Sequence, residues 1–307
     1  MKKALAAILI FVLVMLGIRT FFVMSCTIPS SGMENTLYAG ERVLVNRWSY
    51  GYRVPFMSWI GYCRWGSGIV RKNDILLFNN PMPSSQKNID SQDLFISRCV
   101  GVPGDTLMLN EELQLTNEKV VNPDCKQLYS YPDVSEDTVV HVLDKLDMGR
   151  NELVGYDNNR YIRSFSHYEL YMLKQELGNT VSFTCLRKDT GAGIHPYVVP
   201  MKGKAVKVYP WNAKLLCNTL VQHENKNAAV RGDTLYIDGQ SVKWCFFSQD
   251  YYWVSSNNPI NMSDSRLFGF VPSTHLLGRA IVIWFSKDNA KSWNRGYRWN
   301  RFFTKIK

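Results

Sequence analysis

The stretch LFISRCVGVPGD, which runs from Leu94 to Asp105, decides the fold that we predict for this chain. Its first seven residues, up to Val100, are rich in apolar residues and predict a buried β-strand. The next five, from Gly101 to Asp105, combine two glycines with Pro103, which is the composition of a turn. A strand that runs directly into a turn is typical of a β-rich protein.

Other segments outside the middle of the chain repeat this strand character. Short apolar or aromatic runs bounded by polar or turn residues lie at Val43–Val45, Asp74–Phe78, Tyr251–Val254 and Ala280–Phe285. The stretch 232–240 alternates and ends at an Asp-Gly pair, which favours a two-residue hairpin turn. The sequence therefore predicts a mostly β protein, with a core formed by residues 25–106 and 232–286.

The middle of the chain, residues 107–231, has mixed patterns, and we interpret it as an inserted second domain. Within it, His167–Leu177 has helical spacing and is followed by Gly178, a common helix terminator. No internal repeat or low-complexity tract is present.

Composition indicates a folded chain with an uneven charge. Of the 307 residues, 46% are hydrophobic and 13% aromatic, which excludes a largely disordered protein. The net charge is +10, and residues 287–307 alone hold seven basic residues and one acidic residue. Aromatic residues alternate with these cations, as in segments that lie on a membrane surface. An ordinary solvated basic tail is the alternative, and no nucleic-acid motif accompanies the charge.

The N-terminus predicts a membrane anchor within residues 1–24. Lys2 and Lys3 precede an uninterrupted apolar run from Ala4 to Ile18, which reaches a spanning length if Phe21–Met24 contribute. A cleaved signal peptide and a lipoprotein signal at Val23–Cys26 are alternatives. The basic N-terminal flank favours a cytoplasmic N-terminus, with the bulk of the chain outside.

Neither the cysteines nor the histidines predict a metal site. No pair of cysteines has the C-x-x-C spacing, and the five histidines are scattered, so we expect structural or surface roles for them. The odd number of cysteines, seven, leaves at least one outside any disulfide within the chain.

Four ordered segments resemble the signature boxes of bacterial type I signal peptidases. They are Ile28–Leu37 after the anchor, Asp74–Phe78, Ile96–Asp105, and Asp264–Pro272. In that family the first box reads I-P-S-x-S-M-x-x-T-L and the third I-K-R-x-V-G-x-P-G-D. The resemblance implies a β-rich catalytic core with a smaller inserted domain, and cleavage of exported preproteins by a serine nucleophile and a neutral lysine base.

This chain departs from the family pattern at the positions that carry the reaction. The family nucleophile falls on Gly32, and the family base falls on Ser97. The family serine that hydrogen-bonds the lysine falls on Met262. A glycine has no attacking oxygen, and a hydroxyl is a very poor proton acceptor beside an amine. The resemblance therefore predicts a family member without peptidase activity.

A displaced catalytic pair is the alternative. Ser31 precedes Gly32 and could act as nucleophile, although adjacent side chains of an extended segment point to opposite faces. Lys72 or Lys87 could supply an amine, but neither lies in a box. In that case the protein would be an active serine endopeptidase.

The residues that match the family's binding apparatus remain in place. Ser30 and the Gly32 backbone N–H match its oxyanion donors, and Asp264 and Arg266 are expected to form a structural ion pair. Four apolar residues match positions at or near the pockets for the small residues of a signal peptide, with a core role as the alternative: Ile28, Met33, Leu37 and Ile96.

The resulting hypothesis is an inner-membrane, single-pass protein with no cofactor and no metal. We expect its main domain on the periplasmic side, and as partners signal-peptide-like segments, membrane lipids and an active signal peptidase paralogue. A purely structural envelope protein that binds no peptide is a further alternative.

Overall fold

The computed structural model describes residues 10–11, 17, 21–54, 61–82, 88–116, 122–148, 151, 153–178, 180–186, 193–288, 291–292 and 294–306. Most of the apolar run predicted to anchor the chain therefore lies outside the described residues. Among the described ones, no helix has the length and apolar character that a bilayer span needs. Val23 and Met24, the last two residues assigned to the anchor, lie in a strand that pairs with Asn46 and Val45.

The fold is mostly β, as predicted. Its strands are β1 Val23–Thr27, β2 Arg42–Asn46, β3 Tyr52–Arg53, β4 Arg64–Trp65, β5 Ile75–Asn79, β6 Leu94–Gly101, β7 Thr106–Leu109, β8 Lys126–Pro132, β9 Leu153–Asp157, β10 Arg160–Ser166, β11 Thr184–Cys185, β12 His195–Val198, β13 Val206–Lys207, β14 Ala228–Arg231, β15 Thr234–Ile237, β16 Gln240–Ser241, β17 Trp244–Cys245, β18 Tyr251–Ser255, β19 Val271–Pro272, β20 Leu276–Phe285 and β21 Thr304–Lys305.

Four α-helices have both of their ends among the described residues: α1 Glu136–Lys145, α2 His167–Leu177, α3 Pro210–His223 and α4 Ser265–Phe268. The helix α2 has the predicted bounds. Ser166 and Glu169 form a reciprocal capping box at its start, and Gly178 follows its last residue with a φ of 60°. These local signals are sufficient to define both ends of the helix.

One eight-stranded antiparallel sheet forms the centre of the molecule. Its order is β1-β2-β20-β5-β6-β18-β19, and β21 pairs with β20. Most of the stretch Leu94–Asp105 forms β6, which pairs with β5. In β5, Ile75 and Leu77 face one apolar core, whereas Leu76 and Phe78 face another, as the alternation of a strand requires. Both faces of the central strands are therefore buried.

The described part of residues 107–231, which the sequence predicted to be an inserted domain, contributes to two different cores. The strands β8 to β11 form a four-stranded sheet that packs with α1 and α2 around its own apolar cluster. The strands β7, β12 and β13 pack with α3 around a second apolar cluster. This second cluster also contains Trp253 and Phe270, which belong to the central region. The predicted hairpin is present: β15 pairs with β16 around Asp238 and Gly239, both at positive φ.

Candidate functional site

The first box folds into a turn of 3₁₀ helix, Ser31–Met33, at the edge of the central sheet. Ser30 caps this turn, because its hydroxyl oxygen accepts the backbone N–H of Gly32 at 3.5 Å. The backbone carbonyl of Gly32 accepts the N–H of Asn258 at 3.0 Å. The first box is thus held by the loop 256–263, which leads into the fourth box.

A close backbone contact makes glycine necessary at position 32. A Cβ placed there would lie 2.5 Å from the carbonyl oxygen of Asn261, a distance that real Cβ atoms do not adopt. Gly32 is also buried. Any side chain at this position would require the loop 256–263 to move.

Ser97, at the position of the family base, is sealed inside the protein. Its residue is 0% exposed, and in the β5–β6 register it pairs with Leu76. Its hydroxyl lies 2.7 Å from the carbonyl oxygen of Ser263 and 2.8 Å from that of Ile96. Its single proton is therefore directed at backbone carbonyls, and the hydroxyl acts as a donor.

The alternative catalytic groups are not arranged for a reaction. The hydroxyl of Ser31 accepts the Asn261 side-chain N–H at 2.6 Å, and no lysine nitrogen is hydrogen-bonded to it within the described ranges. Lys72 is half-exposed and pairs with Asp105 at 3.0 Å. Lys87 lies outside the described residues. Met262 is an exposed residue.

The structure reveals a buried lysine that sequence reasoning missed. The side chain of Lys126, at the start of β8, is 0% exposed. Its Nζ lies 2.8 Å from Glu34 Oε2 and 3.6 Å from Glu169 Oε1, and it also donates to the side-chain oxygen of Asn151. Nζ thus faces two carboxylates and a carboxamide, and it makes no hydrogen bond to a hydroxyl among the described residues. Lys126 lies in none of the four boxes, so no sequence signal singled it out.

The apolar residues matched to the family's pockets lie mainly in the core. Ile28, Met33 and Leu37 are buried together in one cluster, against which Ile96 packs. Ile28, Met33 and Ile96 also line a small cleft of about 40 Å³, whereas Leu37 does not. The same cleft is bordered by Pro29, Ser30, Gly32, Leu94, Phe95, Ser256, Asn261 and Ser263. The first and third boxes therefore meet at this cleft.

The strand β6 presents an open backbone edge at the cleft. On one side it pairs with β5 along Leu94–Arg98. On the other side β18 pairs only with residues from Arg98 to Gly101. In the part of the chain that the structure describes, Leu94–Ile96 therefore has a strand neighbour on one side only and is at least partly exposed, whereas Ser97 is buried. An open edge of this kind can accept an added strand.

Asp264 and Arg266 form an ion pair below the cleft. The carboxylate of Asp264 is buried and lies 2.6 Å from the Arg266 guanidinium. It also accepts the backbone N–H of Ser256 at 2.7 Å and that of Arg266 at 3.0 Å. The pair therefore anchors both ends of the loop that approaches Gly32.

Within the described ranges, no group of His, Cys, Asp and Glu side chains could hold a metal ion, and no disulfide joins the cysteines.

The chain belongs to the signal peptidase, peptidase S26 family, whose model matches residues 1–167. It is similar to the signal peptidase I of Buchnera aphidicola subsp. Acyrthosiphon pisum, with 24% identity over 97% of this chain and 80% of that protein. It is also similar to the signal peptidase I of Aquifex aeolicus, with 24% identity over 93% of this chain and 85% of that protein. A shorter match, to the signal peptidase I of Pseudomonas aeruginosa, has 34% identity over 33% of this chain and 32% of that protein.

Proposed function

We propose that this member of the signal peptidase family binds signal-peptide-like segments of exported proteins without cleaving them. The observation that carries this proposal is the structure around Gly32 and Ser97, which occupy the positions of the family's nucleophile and base. Gly32 has no side chain and no space for one, and Ser97 is buried with its hydroxyl directed at carbonyl oxygens.

Peptide hydrolysis by the family's chemistry needs an oxygen at the scissile carbonyl and an unprotonated amine beside it. Gly32 cannot supply the oxygen, and Ser97 replaces the amine by a weak hydrogen-bond donor. The nearby hydroxyl of Ser31 has no amine partner in the described structure. The arrangement therefore supports loss of the chemical step.

Peptide binding has different requirements, and the cleft meets them. An extended peptide needs an unpaired strand edge for its backbone and shallow apolar surfaces for alternate side chains. Leu94–Ile96 offers such an edge. Ile28 and Met33 form the floor of the adjoining cleft. None of these features depends on a nucleophile.

We place the protein in the cytoplasmic membrane, in one pass, with its N-terminus inside and its main domain outside. Support comes from Lys2 and Lys3 before the apolar run Ala4–Ile18. Membrane lipid and an active paralogue remain predicted partners.

Site-specific photocrosslinking tests the binding site. A benzophenone amino acid is introduced at Leu94, which lines the cleft and is 37% exposed, in the full chain in detergent. The control variant carries it at Val134, an aliphatic residue that is 89% exposed in the inserted region. The probe is a synthetic signal peptide in which a small-x-small motif is followed by several residues of a mature protein, so that it contains the bond that a signal peptidase would cleave. We expect an adduct from position 94, a much weaker one from position 134, and an intact peptide.

Two results would overturn the proposal. Equal or absent crosslinking at the two positions would contradict peptide binding at the cleft. Cleavage of the peptide would contradict inactivity, and loss of that cleavage in Ser31→Ala would identify the protein as an active endopeptidase with Ser31 as nucleophile.

A further inference from the structure

A buried polar cluster lies where the first box meets the inserted region. It consists of Lys126, Asn151, Glu34 and Glu169, all of which are buried residues. The ammonium of Lys126 is enclosed, and the cluster contains two carboxylates for this one cation. None of these side chains takes part in the peptide-binding cleft described above.

The carboxamide of Asn151 is fixed against the amine of Lys126. Its side-chain oxygen accepts from Lys126 Nζ. Its backbone is held on both sides, because its N–H donates to Met148 at 3.0 Å and its carbonyl accepts from Arg163 at 2.7 Å. The side-chain nitrogen of Asn151 has no hydrogen-bond partner in the described part of the chain. No hydrogen bond to a described residue would therefore have to break if this nitrogen were lost from the side chain.

Glu169 is placed to carry a proton. Its Oε2 is fixed by the backbone N–H of Ser166 at 2.8 Å. Its Oε1 lies 3.6 Å from Lys126 Nζ and makes no hydrogen bond within the described residues. Glu34 differs, because its Oε2 accepts from both Lys126 and Asn258. The carboxylate of Glu34 thus orients the amine of Lys126. The carboxylate of Glu169 has an oxygen near this amine that accepts no hydrogen bond from the described residues.

We propose that Lys126 and Asn151 become joined by an intramolecular isopeptide bond. The ammonium of Lys126 transfers one proton to Glu169, and the resulting amine attacks the side-chain carbonyl carbon of Asn151. A new carbon–nitrogen bond forms as the bond to Asn151 Nδ2 breaks. The second amine proton and the proton held by Glu169 pass to the leaving nitrogen, which departs as ammonium. The carboxylate of Glu169 is regenerated, and nothing is oxidised or reduced.

Two physical features favour this reaction over ordinary hydrogen bonding. The amine and the carboxamide are held in contact, so their encounter is intramolecular, and well-oriented groups of this kind have very high effective concentrations. Burial also keeps water away from the carbonyl carbon, so hydrolysis of the carboxamide does not compete. The exposed pair of Lys145 with Glu176 has neither burial nor a carboxamide.

Mass spectrometry of the purified full chain tests the proposal. We expect an intact mass lower than that of the sequence by one molecule of ammonia. Trypsin should fail to cleave after Lys126, and residues 151–160 should be recovered as a branch attached to that lysine. Lys126→Arg and Asn151→Ala should each have the full mass of their sequence, whereas the control Lys145→Arg should keep the ammonia loss. Glu169→Gln should leave the two residues unlinked.

The wild-type chain decides the outcome even if a variant fails to fold. Separate tryptic peptides ending at Lys126 and beginning at Asn151, with the full sequence mass, would overturn the proposal. Conversion of Asn151 to aspartate in place of a branch would overturn it as well, because that product shows that water reached the carbonyl carbon. Neither result bears on peptide binding at the cleft, so the two proposals fail independently.

Discussion

At the scale of single residues, the cleft is defined by backbone groups. Gly32 receives the N–H of Asn258 on its carbonyl, and the carbonyl of Asn261 occupies the space that a Cβ would need. The polypeptide therefore packs backbone against backbone where the family places a reactive side chain. This contact explains why the residue is a glycine, independently of any loss of activity.

Gly32→Ala should destabilise the protein by about 1–3 kcal/mol, because the added methyl group overpacks a buried contact whose neighbour is backbone. Denaturant unfolding of the full chain in detergent, followed by tryptophan fluorescence, measures this. Gly155→Ala is the matched control, since no atom of the described residues outside its chain neighbours lies within 4 Å of a Cβ at that position. It should change stability by less than about 0.5 kcal/mol. Equal effects of the two substitutions would contradict the contact.

Sequence reasoning singled out the positions that we propose as the site, but it did not predict their contacts. The resemblance located Gly32 and Ser97 because each box is a short local pattern. The approach of Asn261 to Gly32 was not predictable, since it joins residues more than two hundred positions apart through the tertiary fold. Lys126 was missed for the same reason. Glu34 and Glu169, which surround its ammonium group, are far from it in the sequence, so no local pattern indicates that this lysine is buried.

At the scale of elements, the C-terminal segment 287–307 is attached to the central sheet. Its strand β21 pairs with β20, and the guanidinium of Arg301 donates to the Thr36 carbonyl at 2.8 Å and to Glu41. The rings of Phe302 and Tyr297 contact Phe285. Trp299 and Phe303 remain exposed. The aromatic residues of this segment that the structure describes are thus divided between contacts with the sheet and the surface.

Glu41→Ala should lower the free energy of unfolding by about 3–5 kcal/mol, because it removes a fully buried carboxylate and leaves its hydrogen-bond donors unpaired. Those donors are Arg301, the Ser286 hydroxyl at 2.8 Å and the backbone N–H of Tyr38 at 2.9 Å. The control is Glu176→Ala in the exposed pair with Lys145, for which less than about 1 kcal/mol is expected. Unfolding in denaturant compares the two.

Limited trypsin digestion should also cleave segment 287–307 faster in Glu41→Ala than in the wild-type chain or the control. Unchanged digestion would show that the segment is held without the Arg301 pair.

Elements with local signals were predicted well, and those set by distant contacts were not. The helix α2 and the Asp238-Gly239 hairpin have the predicted positions, because capping residues and turn residues act over a few neighbours. The division of residues 107–231 between two cores has no such signal. It depends on which apolar faces meet Trp253 and Phe270 after folding.

At the scale of the whole molecule, two neighbouring buried histidines couple stability to pH. The pKa of His275 is lowered to about 3, mainly by burial and to a smaller extent by the charges of His223 and Arg53. Burial lowers the pKa of His223 to about 4, although Glu224 opposes the change. The two rings are 5.4 Å apart. As the pH falls below the ordinary histidine pKa of 6.5, the unfolded chain binds protons that the folded chain does not.

The free energy of unfolding should therefore fall as the pH is lowered from about 7 to about 5, by about 2 kcal/mol for His275 alone. Unfolding curves at a series of pH values measure the slope. His275→Gln should flatten this part of the profile, whereas His141→Gln, which replaces an exposed histidine, should leave it unchanged. A profile that is equally steep in all three proteins would show that His275 is not the group responsible.

The carbonyl of Asn261 has a consequence for any attempt to engineer a protease from this scaffold. The double substitution Gly32→Ser with Ser97→Lys would restore the serine and the lysine of the family pattern in the sequence. The grafted hydroxyl would nevertheless have to enter volume already filled by the main chain, and the grafted lysine would meet the Ser263 carbonyl in place of a side-chain acceptor. Cleavage by such a variant would require remodelling of residues 256–263 first, so the shape of that segment, more than the identity of two amino acids, would limit the engineering.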